Sequence, residues 1–412
     1  MKAGWKTVKL ADVAEMRPPK SEAKLKGLKP TDEVGFLPME DLTQFQKHAM
    51  ALKTRTMSEV SNSYTYFANG DVLMAKISPC FQNGKMGIAT GLPNGVGYGS
   101  SEYFVFRPSK ELSAEWLFYY LQDPAFRRHA TGKFSGNVGQ QRLPKELIEE
   151  LEIPLPPLAE QKRIVALLDE AFAGIDEAKA KAEASLVASK SLIDSHLQFI
   201  FSEQTSGWKK STIGAEMRFI DYRGKTPTKT ADGVRLITAK NVKMGYLQET
   251  PMEFIATNDY DKWMTRGIPR KGDVLFTTEA PLANVAQLDT DEKVAFAQRI
   301  IILQPNPDRL DSAFLKYLLI SQPIQDSIRA KGTGATVQGI KASLLKLIEI
   351  SFPPRIDRQK QIAAELNVLS LQADHLTKVQ EQRVSALDEL KSSLLAQAFA
   401  GELTAYPPPS CP

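Results

Sequence analysis

The chain has 412 residues, with 52 basic and 48 acidic side chains for a net charge of +4, and is 42% hydrophobic and 24% charged. That balance buries ordinary cores and excludes a disordered chain, while the length exceeds one domain of roughly 100 to 200 residues. The near-neutral total excludes a globally basic nucleic-acid binder, so any attraction to phosphate must come from local clusters. Two cysteines, Cys80 and Cys411, are too few for a disulfide framework, and no Cys/His spacing resembles a zinc site. The start, Met1-Lys2-Ala3-Gly4-Trp5-Lys6, lacks the apolar core of a signal peptide, and no apolar run approaches the roughly 20 residues that cross a bilayer. A cytoplasmic protein without membrane contact is expected.

Along the chain, landmarks return in the same order about 200 residues later. Gly4-Trp5-Lys6 returns as Gly207-Trp208-Lys209, and Gly70-Asp71-Val72-Leu73 as Gly272-Asp273-Val274-Leu275. Ser113-Ala114-Glu115-Trp116-Leu117 is echoed by Ser312-Ala313-Phe314-Leu315, and Pro156-Pro157 with Gln161-Lys162-Arg163-Ile164 by Pro353-Pro354 with Gln359-Lys360-Gln361-Ile362. Two copies of one fold, separated by small loop insertions, explain this order.

Each copy opens with strand signals, such as Tyr103 to Phe106 and Arg299 to Leu303, and short helices around Ser113 to Asp123 and Ser312 to Ile320. After each Pro-Pro pair comes a long stretch of helix formers. The expected class is α+β. Two similar mixed α/β domains lie over 1–157 and 204–354, long helices over 158–203 and 355–402, and a tail over 403–412.

Stepping by four and three along the helices gives two seams of coiled-coil type. The first carries Ile164, Leu168, Ile175, Leu192 and Phe199, with Ala182, Ser185 and Ser189 near its middle; the second carries Ile362, Leu366, Leu369, Leu376, Leu387, Leu390 and Leu394. Gly401 should stop the second helix. Seams of equal length pair most simply with each other, antiparallel, placing Ile164 near Phe399 and Phe199 near Ile362. Independent docking of each helix on its own domain is the alternative.

Basic residues cluster near the start of each copy. Arg17, Lys20, Lys24, Lys26 and Lys29 face only Glu22, and Arg223, Lys225, Lys229, Arg235, Lys240 and Lys243 face only Asp232. Such runs, interleaved with Thr, Pro, Gly and Asn, suit loops that touch phosphates and base edges. A polar loop follows each Gly-Asp-Val-Leu: Lys76 to Lys85 in the first copy, Thr277 to Asn284 in the second. A third matched element runs from Gly132-Lys133 to Arg142-Leu143, and from Lys331-Gly332 to Ile340-Lys341.

Candidate DNA contacts are therefore Lys76, Ser78, Gln82, Asn83, Lys85 and Lys133 in the first copy. In the second they are Arg223, Lys225, Thr226, Lys240, Asn241, Lys243, Thr277, Thr278, Glu279, Asn284 and Lys331. These side chains can donate to or accept from base edges and phosphates, and the two loops carry different groups, as two unlike half-sites would demand. Ordinary turns, with Asn83-Gly84 a tight hairpin, are the plain alternative.

Catalytic motifs are missing. No Gly-x4-Gly-Lys-Ser/Thr loop, amine-methylation motif or histidine arrangement for a triad or metal occurs, so neither a catalytic residue, a metal site nor a bound cofactor is expected.

With these residues in place, the doubled plan resembles the DNA specificity subunit of type I restriction-modification enzymes. Lys76-Ile77-Ser78-Pro79-Cys80-Phe81-Gln82-Asn83-Gly84-Lys85, Arg223-Gly224-Lys225-Thr226-Pro227, Leu275 to Leu282 and Pro156 to Ile164 carry the likeness, which spans nearly the whole chain. It implies two target recognition domains, each reading half of a split double-stranded DNA site, with antiparallel helices setting the gap. It also implies two methyltransferase subunits bringing S-adenosylmethionine chemistry, and restriction or motor subunits using ATP and Mg. Arg355-Ile356-Asp357-Arg358 departs from the first copy's Leu158-Ala159-Glu160. A non-catalytic adaptor holding two protein partners is the alternative from another class.

Overall fold

The computed structural model describes residues 4–137, 141–203, 205–222, 226–297, 299–334 and 338–403. The chain forms two compact units, one of residues 1–182 with 382–412 and one of residues 183–381.

In the first unit, the strand Val72–Ala75 lies inside a five-stranded sheet ordered Ala14–Met16, Tyr103–Pro108, Val72–Ala75, Met86–Thr90, His48–Met50. Its residues are apolar throughout because both faces are covered. Val72 and Met74 enter a core shared with the helix Ala114–Tyr120, while Leu73 faces a second core with Val105, Tyr103 and Phe67. A four-stranded sheet, Lys53–Thr56, Glu33–Leu37, Val96–Gly99, Thr65–Ala68, completes the unit together with the pair Lys6–Lys9 and Glu152–Leu155.

The second unit repeats this order. Met217–Asp221, Ile300–Pro305, Val274–Thr278 and Leu282–Gln287 form one sheet, Glu253–Ile255, Val234–Ile237 and Val294–Phe296 another, and Lys209–Thr212 pairs with Glu349–Phe352. Parallel pairing recurs at matched places, Glu33–Leu37 with Val96–Gly99 and Val234–Ile237 with Val294–Phe296. The central strand again divides two cores, Val274 and Phe276 on one side and Leu275 on the other. Two first-unit strands, His48–Met50 and Thr65–Ala68, have no matching strand in the second unit among the described residues. Repetition of topology is thus a property of the fold as well as of the sequence.

The matched glutamines have a structural task. Gln161 is fully buried; its Oε1 accepts from the Ser113 N–H (2.8 Å) and its Nε2 donates to the carbonyls of Glu111 (2.7 Å) and Pro156 (2.9 Å). Gln359 repeats the pattern with the Asp311 N–H (2.8 Å) and the carbonyls of Arg309 (3.0 Å) and Pro353 (2.7 Å). Each fastens the start of a long helix to the loop before a short one, whose first turn is capped by Ser113 or Asp311. Gln161→Leu should cost about 2 to 4 kcal/mol in urea unfolding, since it leaves one buried donor and two carbonyls unpaired; a change below about 1 kcal/mol would contradict this account.

The long helices run Leu158–Gln198 and Ile356–Ala400. The first closes in a π turn, Phe199–Glu203, and Gly401 follows the second at φ 80°. In the first unit, Ile164, Leu168, Phe172 and Ile175 share a core with Leu395, Ala398 and Phe399. Asp176 pairs with Lys391 (3.1 Å) and Lys179 with Asp388 (2.8 Å), so the segments run antiparallel. In the second unit Ile362 and Leu366 share a core with Leu197, Ile200 and Phe201.

The expected seam needs correction away from its start. Leu192, Phe199, Leu376 and Leu390 are exposed and Leu369 is only partly buried, whereas Leu387 and Leu394, though partly buried, pack against the first unit's core as expected. Burial instead falls on Ile200 in the first helix, and on Leu395 and Ala398 in the second. A step of 3.5 residues lags an α-helix of 3.6 by about one residue over ten turns, and the buried stripe follows 3.6. Ser189 is buried, but its hydroxyl donates to the Ser185 carbonyl of its own helix (2.7 Å), so it adds no pressure on register.

Candidate nucleic-acid interface

In the first unit the loop 76–85 joins the antiparallel strands Val72–Ala75 and Met86–Thr90. It is a helical turn, not a two-residue hairpin: the N–H groups of Phe81, Asn83 and Lys85 donate to the carbonyls of Ile77, Pro79 and Cys80. Gly84 ends the turn at φ 72°, and the Phe45 ring lies 2.1 Å from where a Cβ would stand, so only glycine fits. Arg127 stacks on the rings of Phe45 (5.0 Å) and Phe81 (4.3 Å), donates to the Phe81 carbonyl, and is pushed down to about 10 by burial. What this rigid base presents at its tip is Gln82 and Asn83, both exposed.

The third matched element lies alongside. Ser78 N–H donates to the Gln141 carbonyl (2.8 Å), Leu143 N–H to the Lys76 carbonyl (2.8 Å), and Ile77 bridges Arg142. The second unit repeats the stitch: Ile340 N–H donates to the Thr278 carbonyl (2.9 Å), and Glu279 bridges Gly339. Two segments far apart in sequence therefore meet at one end of each central sheet.

The charge at one position beside the stitch is reversed between the copies. In the first, Arg142 donates to both carboxylate oxygens of Glu102 (2.9 and 3.0 Å). In the second, Arg299 stands at the position of Glu102 and pairs with Glu279 (3.0 Å). The same backbone frame thus carries different charges, as the difference between the loops led one to expect.

Other candidates divide by exposure. Lys133, Thr226, Lys240 and Lys331 are exposed; Lys76, Ser78, Lys243, Glu279 and Asn284 are partly buried. Asn284 Nδ2 donates to the Val242 carbonyl (2.9 Å), and the Lys85 amine to the carbonyls of Met39 (2.6 Å) and Glu40 (3.2 Å), so both help hold the loops. Arg223 and Lys225 lie outside the described residues.

Three candidates are corrected. Asn241 is buried, accepting from the Thr238 N–H (3.0 Å) and donating to the carbonyls of Gln248 (3.0 Å) and Pro251 (2.9 Å). Thr277 and Thr278 are also buried; the Thr277 hydroxyl accepts from the Asn284 N–H (2.9 Å), and Thr278 Oγ1 donates to the Arg299 carbonyl (3.3 Å). Their polarity serves turn geometry. Arg142, Glu102 and Lys145 were passed over. Arg142 stood in plain view in the third matched element, and its replacement by glycine at position 339 was the available signal.

Among the described residues there is no cluster of His, Cys, Asp and Glu able to hold a metal, and no helix long and apolar enough to cross a membrane.

Comparison with known proteins agrees with this architecture. The chain is 31% identical over 202 residues to the type I restriction enzyme EcoAI specificity subunit of Escherichia coli, covering 49% of this chain and 33% of that protein. It thus spans about a third of that relative's length in the match. A solved chain from work on complex assembly and conformational transition of the type I R-M system superposes with a TM-score of 0.77 at 20% identity, covering 98% of this chain and 99% of the other. The crystal structure of the HsdS subunit from Thermoanaerobacter tengcongensis gives 0.61 at 20% identity over 98% of each. At that identity, the two structures speak for the fold. The family profile described as "Type I restriction modification DNA specificity domain" matches residues 2–185 and 234–385, most of the chain. Doubled topology, paired loops and that match lead to one conclusion: the chain belongs to the type I restriction modification DNA specificity family.

Proposed function

We propose that this chain is a sequence-specific reader of double-stranded DNA, each unit taking one half of a split target, and that it performs no chemistry of its own. The observation that carries the reading is the pair of loops at matched sheet ends, fastened by matched stitch bonds and bearing unlike hydrogen-bonding groups. Gln82 and Asn83 in the first unit offer donors and acceptors together, whereas the second unit offers Glu279, Lys240 and Thr226. Such groups discriminate among base edges in the major groove. The long helices set the gap between half-sites and dock two methyltransferase subunits. S-adenosylmethionine, ATP and Mg belong to those and to the restriction or motor subunits.

Selection of duplexes from a random pool, with the full chain alone and with its methyltransferase partner, tests this reading. The expected result is two short constant runs separated by a fixed gap. Failure to select any sequence in either arm would favour a protein adaptor.

A further inference from the structure

The duplicated plan makes each unit a control for the other, and one cluster stands out by its lack of a counterpart. Beside the stitched loop of the first unit is a pocket of about 210 Å³ lined by Arg17, Lys76, Arg142 and Lys145, with Phe104 in its wall. The matched positions in the second unit are Ile220, Thr278, Gly339 and Ala342, none of them charged. Four cations thus converge where the matched positions carry none; the second unit's nearby cation, Arg299, stands at the position of Glu102 and is paired with Glu279.

The cluster is only partly neutralised. Glu102 holds Arg142, and Glu149 pairs with Lys145 one helical turn on. Arg17 takes a left-handed backbone, φ 57°, while its N–H donates to the Val105 carbonyl (2.8 Å). A non-glycine residue there costs free energy and is enriched at binding sites. Lys76 passes beside the Phe104 ring, its amine 6.0 Å from the centroid. Burial first, and then the charges of Arg17 and Arg142, push that amine below its usual value against the opposing pull of Glu102. A cation held under those conditions is poised to gain from an arriving anion.

The pocket is smaller than the roughly 300 Å³ at which sites begin to enclose a drug-sized ligand, which disfavours a whole nucleotide and suits a single phosphate group. Its position against the loop that presents Gln82 and Asn83 makes a backbone phosphate of the duplex the natural occupant. We propose that the first unit carries a phosphate seat, formed by Arg17, Lys76, Arg142 and Lys145, that the second unit lacks. The seat rests on the DNA-reading function and adds that the halves grip the backbone unequally: the first contributes a fixed electrostatic anchor.

The test is binding of the full chain to a duplex over a range of NaCl concentrations. Variants are chosen to keep the fold: Arg17→Gly, which suits the positive φ, and Lys76→Met and Lys145→Met, which keep the apolar stems. A seat of one phosphate predicts that each lowers the slope of log affinity against log salt by up to about 0.9, with a similar loss of affinity for every duplex sequence. Lys110→Met, an exposed lysine outside the pocket, should leave the slope unchanged. Amine labelling gives a second readout, since Lys76 should react more slowly once duplex is bound.

An equal fall for Lys110→Met and Arg17→Gly would reduce the effect to general surface charge and overturn the seat. Wild-type slope in all three pocket variants would overturn it too, while the DNA-reading function would stand. No salt-dependent duplex binding by the wild-type chain, either alone or with its methyltransferase partner, would defeat both.

Discussion

Arg107→Met should destabilise the first unit by about 3 to 5 kcal/mol, because it strips the counter-charge from a buried carboxylate. Asp71 sits at the start of the central strand with its side chain 2% exposed, and Arg107 meets both its oxygens at 2.8 Å while also reaching Glu22. One backbone donor, the Ala68 N–H (2.7 Å), would remain. Burial already holds the Asp71 carboxyl above its usual value, with Arg107 pulling the other way. Without Arg107 the folded value climbs further. A carboxyl whose folded value exceeds its unfolded one favours the fold fully below the unfolded value, about 3.9, and loses that contribution as pH rises through the folded one. The variant should therefore regain part of its lost stability between neutral pH and about pH 4, and Asp71→Asn added to it should restore much of the rest. Urea unfolding at several pH values measures both. A loss below about 1 kcal/mol that ignores pH would mean that water reaches Asp71 after all. The second unit uses a neutral solution, Gln304 Nε2 donating to Asp273 (2.7 Å), so the copies differ in how strongly this corner depends on charge.

Gln82→Ala with Asn83→Ala should erase discrimination at one half-site and leave the other intact. Both side chains are exposed on a turn fixed by Gly84, Phe45 and Arg127, so truncating them should remove contacts without loosening the base. A good bidentate contact to a base is worth roughly 1 to 3 kcal/mol, so preference at that half should fall by about fivefold to about 150-fold. The readout is the pool of selected duplexes: one constant run becomes variable while the second stays. Equal loss in both runs would show that the two units do not read independently.

Much of the fold was legible because duplication repeats its signals. Gly-Asp-Val-Leu marked the central strand twice, and the Pro-Pro pair with its glutamine marked each long helix. Seam positions such as Leu192, Phe199 and Leu390 were misjudged through the assumed period: a heptad imposed on a helix of 3.6 residues per turn drifts off the buried stripe by its far end. The site was legible as loops more than as residues. Asn241, Thr277 and Thr278 share their chemistry with residues that read bases, and only folding reveals that their hydrogen bonds turn inward. The contribution of Arg142 depends on its ion pair with Glu102 and its bridge to Ile77, which no local pattern announces.

The reversed ion pairs, Arg142 with Glu102 and Arg299 with Glu279, bear on how such a protein could acquire a new target. Each reading end is tied by an ion pair to the residue just before a neighbouring strand, so its specificity is not a portable cassette. Moving the loop around Glu279 into the first unit would set its carboxylate beside Glu102, repelling where the parent attracted. Exchange of reading heads, in the laboratory or by recombination, would have to carry all the clasping segments together, which favours transfer of entire lobes over single loops.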